Sequence, residues 1–224
     1  MNAENEKWIA AVASADYVKN GMLVGLGSGS TAAFMIAELG KRVAGGLIMK
    51  GIPSSDATAK LAKQAGISLI SLDDAGTMDI NIDGADEFDP KFQLIKGGGG
   101  ALLREKILAH NSRFNIIIAD SGKKVDRLGK FKLPVETIPF ATEIIISELH
   151  NMDLNPQLRM KNNEVYKTDE NNCIIDVDIF QKNDLQELNY LLIQIPGVVE
   201  TGLFLTSTDI ILMGQGNKVV TFKK

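Results

Sequence analysis

Residues 22–40, MLVGLGSGSTAAFMIAELG, decide the fold. A short apolar strand, MLVGLG, turns through glycine and serine into a helix. The glycines let the backbone turn tightly, and the N–H groups at the start of a helix attract an anion. Ser28, Ser30 and Thr31 add hydroxyl donors around Gly29, so the turn suits a phosphate. Gly27, Gly29 and Ala32 also match the G-x-G-x-x-A pattern of dinucleotide sites. The acidic residue expected to close the next strand is absent there, and Lys50 and Gly51 stand in its place.

The alternation continues outward from this unit. Residues 4–19 read as a helix ended by the NG at 20–21, and GLIMKGI as the next strand. SSDATAKLAKQAG is a helix whose Ser54, Ser55 and Asp56 read first as caps. ISLISL, DINIDG and FQLIKG are further strand candidates, GALLREKILAHN is a helix, and FNIIIAD is an apolar strand suited to burial on both faces. Strands alternating with helices imply parallel pairing through right-handed crossovers, hence an open α/β sheet. Near Leu133 the pattern changes. PVETI, PFATEIIISELHN, a hairpin turning at KNNE, CIIDVDI, DLQELNYLLIQI and GVVETGLF give β-α-β-β-α-β, a small split-βαβ domain. TDIILMG and KVVTFKK then form a terminal hairpin around QGN that can return to the first domain.

The chain has 224 residues, 45% hydrophobic and 23% charged, with a net charge of −4. That balance is ordinary for a globular protein and argues against broad affinity for nucleic acid or membrane surfaces. Cys173 is the only cysteine, which excludes an intrachain disulfide and a cysteine-built zinc site. The first residues lack a signal peptide's basic start and apolar stretch, and no run approaches the length of a membrane span. A cytoplasmic protein is the expectation.

Chemistry concentrates in NIDGADEFDPKFQLIKGGGGALLREK, residues 81–106. Asp83 and Asp86 flank Gly84 and Ala85 at the end of a strand, so both carboxylates can approach one pocket. Lys96 ends the next strand, Gly97, Gly98, Gly99 and Gly100 allow close backbone approach, and Glu105 follows in a helix within reach of that loop. Removing a proton from carbon next to a carbonyl requires a carboxylate base, together with a cation or donors where enolate charge develops. These residues supply both without metal or redox cofactor. Asp83, Asp86 and Glu87 have oxygen ligands for magnesium, but Lys96 nearby opposes a cation. Lys123, just past the strand FNIIIAD, can meet a phosphate or hydroxyl, and Lys7 can reach in from the first helix.

The chain resembles the ribose-5-phosphate isomerases of type A. GLGSGSTAA, SSDAT, DGADE, IKGGGGALLREK, ADSGKKVDRLGKF, PVETIPFA and IPGVVETGLF carry the resemblance, in family order over nearly the whole length. It implies a Rossmann-like open, mainly parallel sheet (residues 1–131 and 207–224) with a smaller ferredoxin-like α+β domain (residues 132–206). It also implies metal-free interconversion of ribose 5-phosphate and ribulose 5-phosphate through a cis-enediol, in a homodimer or homotetramer. Glu105 would be the base moving hydrogen between C1 and C2. Asp83 and Asp86 would bind hydroxyls and assist ring opening, and Lys96 with Gly97, Gly98 and Gly99 would stabilise the enediolate. Ser28, Gly29, Ser30 and Thr31 with Lys123 would line the substrate site, and Lys7 would touch the phosphate. Ser28 stands where many members have threonine, which keeps the hydroxyl. Two alternatives use other chemistry: a coenzyme A transferase with Glu105 as nucleophile, and the sugar-phosphate sensor of a transcription regulator, which would need a DNA-reading module.

Overall fold

The computed structural model describes residues 3–224. The first half contains α1 (Ala3–Ala15), β1 (Met22–Leu26), α2 (Ser30–Ala44), β2 (Met49–Pro53), α3 (Asp56–Gln64), α4 (Leu72–Ala75), β3 (Ile80–Gly84), β4 (Glu87–Phe88), β5 (Leu94–Ile95) and α5 (Leu102–His110). Then come β6 (Asn115–Asp120), a 3-10 turn at Ser121–Lys123, β7 (Leu133–Thr137), α6 (Thr142–Asn151), β8 (Gln157–Leu158), β9 (Met160–Lys161) and β10 (Glu164–Val165). The last elements are β11 (Cys173–Val177), α7 (Leu185–Ile193), β12 (Val198–Thr201), β13 (Leu203–Phe204), β14 (Ile210–Gln215) and β15 (Lys218–Lys223). They form two compact units. The first comprises the chain up to Ala85, Arg104–Lys124 and Thr206–Lys224; the second comprises Asp86–Leu103 and Val125–Leu205. Residues 86–103 and 125–131 thus group with the second unit, whereas the sequence reading set its boundary at 131/132.

The first unit is built on a six-stranded sheet of order β15-β14-β6-β3-β1-β2, parallel except for the edge strand β15. Alternate strand residues face opposite sides. Val24, Leu26, Ile80, Ile82, Ile116, Ile118, Ile210 and Leu212 join α1 and α2 in the main core on one face. Each such side chain contributes about 1.5–3 kcal/mol on full burial. The opposite face carries Leu23, Asn81, Asp83, Asn115 and Ile117, and α5 packs there. Leu108 clusters with Ile52 and Met78, and Asn115 Nδ2 donates to the Ala109 carbonyl at 3.0 Å.

The second unit contains a four-stranded antiparallel sheet of order β12-β7-β11-β8, the strand order of a split βαβ, with its own core around Val135, Ile145, Ile175, Leu188 and Leu192. The expected hairpin at KNNE is present as β9–β10, with Asn162 and Asn163 at positive φ. A separate three-stranded sheet, β13-β5-β4, completes this unit.

Several expectations are corrected. ISLISL forms a single bridge, Leu69 to Gly51, and then α4, because Ser71 caps that short helix by accepting from Asp74 N. FQLIKG gives only β5, which pairs in the small sheet. GVVETGLF is two strands, broken at Gly202, where the chain changes partners. Gly202 N donates to Pro134 O at 2.7 Å, and its carbonyl accepts from Lys96 N at 2.9 Å. A Cβ at that position would lie 2.3 Å from the Lys96 carbonyl. The first helix stops at Ala15, four residues short of the expected end.

Candidate active site

In the first unit, β1 leaves room for polar groups on β3. A Cβ on Gly25 would meet Asn81 Oδ1 at 2.5 Å, and one on Gly27 would meet Asp83 Oδ1 at 2.1 Å. Asn81 continues this polar row by donating to Asn115 at 3.1 Å. Asp83, two residues on, therefore turns to the same face, the one covered by α5. It is 1% exposed, and its Oδ1 accepts from Ser28 N at 3.0 Å and Gly84 N at 2.7 Å. Glu105 lies in the first turn of α5 and is 5% exposed. That helix ends beside the amino end of β3, where Met78 N donates to Asn111 O at 2.9 Å. Its first turn therefore lies toward the carboxyl ends of the strands, where Asp83 stands. Carboxylates this buried are uncommon without a task or a partner.

The turn between β1 and α2 is held by hydroxyls. Ser28 Oγ lies 2.6 Å from Ser54 Oγ, 3.1 Å from Ser55 Oγ and 3.2 Å from Thr58 Oγ1, which in turn donates to Gly27 O at 3.0 Å. Ser55 caps α3 by accepting from Thr58 N, as expected. Gly29 precedes α2 at φ 92°, and no side chain caps that helix. Its first N–H groups, beside Ser30 and Thr31, are therefore presented as an anion site. Gly84 ends β3, and Ala85 is the last residue of this segment of the unit. Lys123 ends the 3-10 turn after β6, whose first residue is tied to α1. Glu6 accepts from Ser121 N at 3.0 Å and Ser121 Oγ at 2.6 Å, and from Gly216 N at 2.8 Å. These bonds, led by that from the Ser121 hydroxyl, hold the Glu6 carboxyl below the usual range. Lys7, the next residue, pairs with Glu4 at 2.7 Å.

In the second unit, Asp86 opens the chain segment and Lys96 directly follows β5. Lys96 is 3% exposed, with its ammonium 5.4 Å from the centre of the Phe204 ring. Asp86 Oδ2 accepts from Gly98 N at 2.7 Å. Gly97 and Gly100 have φ of 99° and 85°. Glu87 is committed elsewhere, accepting from Gly129 N at 2.8 Å and Phe131 N at 2.6 Å. The sequence reading missed Arg159 and Tyr166 of this unit. Arg159 Nη1 donates to Gly97 O at 2.8 Å and Gly98 O at 3.3 Å, and the Tyr166 hydroxyl donates to Gly99 O at 3.1 Å. Burial pushes the Tyr166 phenol up, which keeps it a donor. Their distance in sequence from the glycines leaves no local pattern to find.

Residues 50–218 match the family model described as ribose 5-phosphate isomerase A (phosphoriboisomerase A). The chain belongs to this family. It is 48% identical over 222 residues to a ribose-5-phosphate isomerase A of Ruegeria pomeroyi, covering 96% of this chain and 85% of the relative. To that of Sphingopyxis alaskensis it is 45% identical, covering 96% and 94%. The solved ribose 5-phosphate isomerase A of Methanocaldococcus jannaschii superposes with a TM-score of 0.93 at 41% identity, covering 97% of this chain and 98% of that one. A D-ribose-5-phosphate isomerase solved in complex with phospho-erythronic acid gives a TM-score of 0.96 at 38% identity over the whole of both chains. Among the described residues, no helix is long and apolar enough to cross a membrane.

Proposed function

We infer that this chain interconverts D-ribose 5-phosphate and D-ribulose 5-phosphate by proton transfer through a cis-enediol, the step the family contributes to the non-oxidative pentose phosphate pathway. Glu105 takes the proton from C2 of the open-chain aldose, the C2 electrons shift toward the C1 carbonyl, and the proton returns to C1. The charge that develops on oxygen is met by the Lys96 ammonium and N–H groups of the Gly97–Gly99 loop. Asp83 and Asp86 bind hydroxyls and move their protons, including the one released on ring opening. The start of α2, at Gly29, Ser30 and Thr31, takes the phosphate with Lys123 and Lys7, and Ser28 holds that turn in shape.

The observation that carries this reading is the burial of Glu105 in the first turn of α5, on the face of the sheet that also holds Asp83. A cytoplasmic location belongs to the same proposal, in keeping with a lone thiol at Cys173. So does a homodimer or homotetramer, for which the exposed Phe140 and Ile144 supply apolar surface.

The test is a coupled assay of purified protein on ribose 5-phosphate with EDTA present. Turnover is expected, and inertness toward that substrate sinks the assignment. Glu105→Gln removes the base and lowers kcat by about 10²–10⁴-fold while substrate still binds. Turnover close to wild type in that variant would remove Glu105 from the role.

A further inference from the structure

A run of four glycines has no side chains with which to fix itself, and each glycine loses more conformational freedom on ordering than any other residue. The Gly97–Gly100 loop is nonetheless held at successive carbonyls from within its own unit, by the Arg159 and Tyr166 contacts already described. A trans peptide sets each carbonyl opposite the N–H of the following residue, and no described peptide bond is cis. Holding the Gly97 carbonyl therefore aims the Gly98 N–H away from Arg159, and that N–H lands 2.7 Å from Asp86 Oδ2. Holding the Gly98 carbonyl aims the Gly99 N–H in the same sense.

Arg159 is itself fixed. Its Nε donates to Asp176 Oδ2 at 2.9 Å and its Nη2 to Asp176 Oδ1, while its guanidinium lies 5.9 Å from the centre of the Tyr166 ring. Its backbone N donates to Ile174 O at 2.8 Å, and its carbonyl accepts from Tyr166 N at 2.9 Å. One edge of the fork is spent on a carboxylate and the remaining nitrogen on the loop, a division that only a planar guanidinium supports.

We propose that Arg159, braced by Asp176 and assisted by Tyr166, is a positioning residue that sets the Gly98 N–H on the Asp86 carboxylate and the Gly99 N–H toward the charge developing on the sugar oxygen. This rests on the role given to the glycine loop above. A misplacement of about 1 Å in such donors costs on the order of 10²-fold in rate, whereas the donors still exist for ground-state binding.

The experiment measures kcat and KM for ribose 5-phosphate, inhibition by phospho-erythronic acid, and the thermal midpoint, for Arg159→Lys, Tyr166→Phe and Lys96→Met. Arg159→Lys keeps the charge and loses the fork. It is expected to lower kcat by about 10- to 10²-fold with KM nearly unchanged, to weaken inhibition by phospho-erythronic acid, and to stay folded. Tyr166→Phe, which removes one hydroxyl, is expected to follow with a smaller fall in kcat. Wild-type kcat in both variants overturns the inference, as does a fall that only tracks loss of folded protein. If Lys96→Met is inactive while Arg159→Lys is unimpaired, positioning alone falls. If Lys96→Met turns over normally, the loop's role in the reaction falls, and the inference with it.

Discussion

Two turns rich in glycine, residues 27–31 and 97–100, are assigned to one reaction, yet they are held by opposite means. The first is tied by its own and neighbouring side chains: Ser28, Ser54, Ser55 and Thr58 share hydroxyl contacts, and Asp83 fills the space that Gly27 leaves. The second carries no side chain at all and takes its shape from Arg159, Tyr166 and Asp86, which hold its carbonyls and one N–H. A turn stiffened from within resists single deletions, because several partners share each hydroxyl. A turn stiffened from outside depends on a few residues distant in sequence, but leaves its backbone N–H groups uncovered by side chains of its own.

Substitutions can break this contrast. The largest effect is expected at Gly98→Ala, where an added Cβ lies 2.6 Å from Asp86 Oδ1. That contact pushes apart the Asp86 carboxylate and the loop that holds it, and a misplacement of about 1 Å costs on the order of 10²-fold in kcat. At Gly99 a Cβ meets nothing within 4 Å, so Gly99→Ala is expected to keep its unfolding free energy within about 0.5 kcal/mol of wild type. Kinetics and denaturant titration of the two variants check the difference, and equal losses of stability would remove the contact with Asp86 as its cause. In the hydroxyl turn, Ser28→Ala deletes one member of a shared cluster and is expected to cost about 1 kcal/mol, read as a shift in the urea midpoint. A loss several times larger would show that Ser28 alone holds the turn.

The smallest expected effect concerns Glu6. Its folded-state pKa is depressed, chiefly by the Ser121 hydroxyl, so the stability it contributes is present above the ordinary glutamate pKa and is lost as pH falls through the lower folded value. The thermal midpoint of wild type minus that of Glu6→Gln is expected to be positive near neutrality and to shrink below about pH 4.3. A difference independent of pH would show that the ionised carboxylate contributes nothing.

Much of this was legible in the sequence wherever apolar periodicity is strong. NIIIA suited a strand buried on both faces and is one, the β-α-β-β-α-β order matches the second unit's four-stranded sheet, and DGAD, KGGGG and REK singled out polar groups. Legibility failed for two-residue strands such as Leu94–Ile95, whose pairing depends on Leu203–Phe204 and not on any local pattern. It also failed for long-range polar contacts. Arg159 reads as one more charged hairpin residue until its contact with Gly97, 62 residues away, is seen. Nothing local in the sequence sets Glu6 apart from Glu4 in the same helix, although Glu6 is 2% exposed.

The bond between Glu6 and the Gly216 amide joins residues 210 apart, and a Cβ on Gly214 would lie 2.0 Å from the Glu6 carbonyl. At about 5–20 residues per second of synthesis, the opening helix waits on the order of 10–40 s for the strand against which it is seated. The helix is thus made well before the strand on which it seats, and during that interval its alanine-lined side is open to whatever the nascent chain meets.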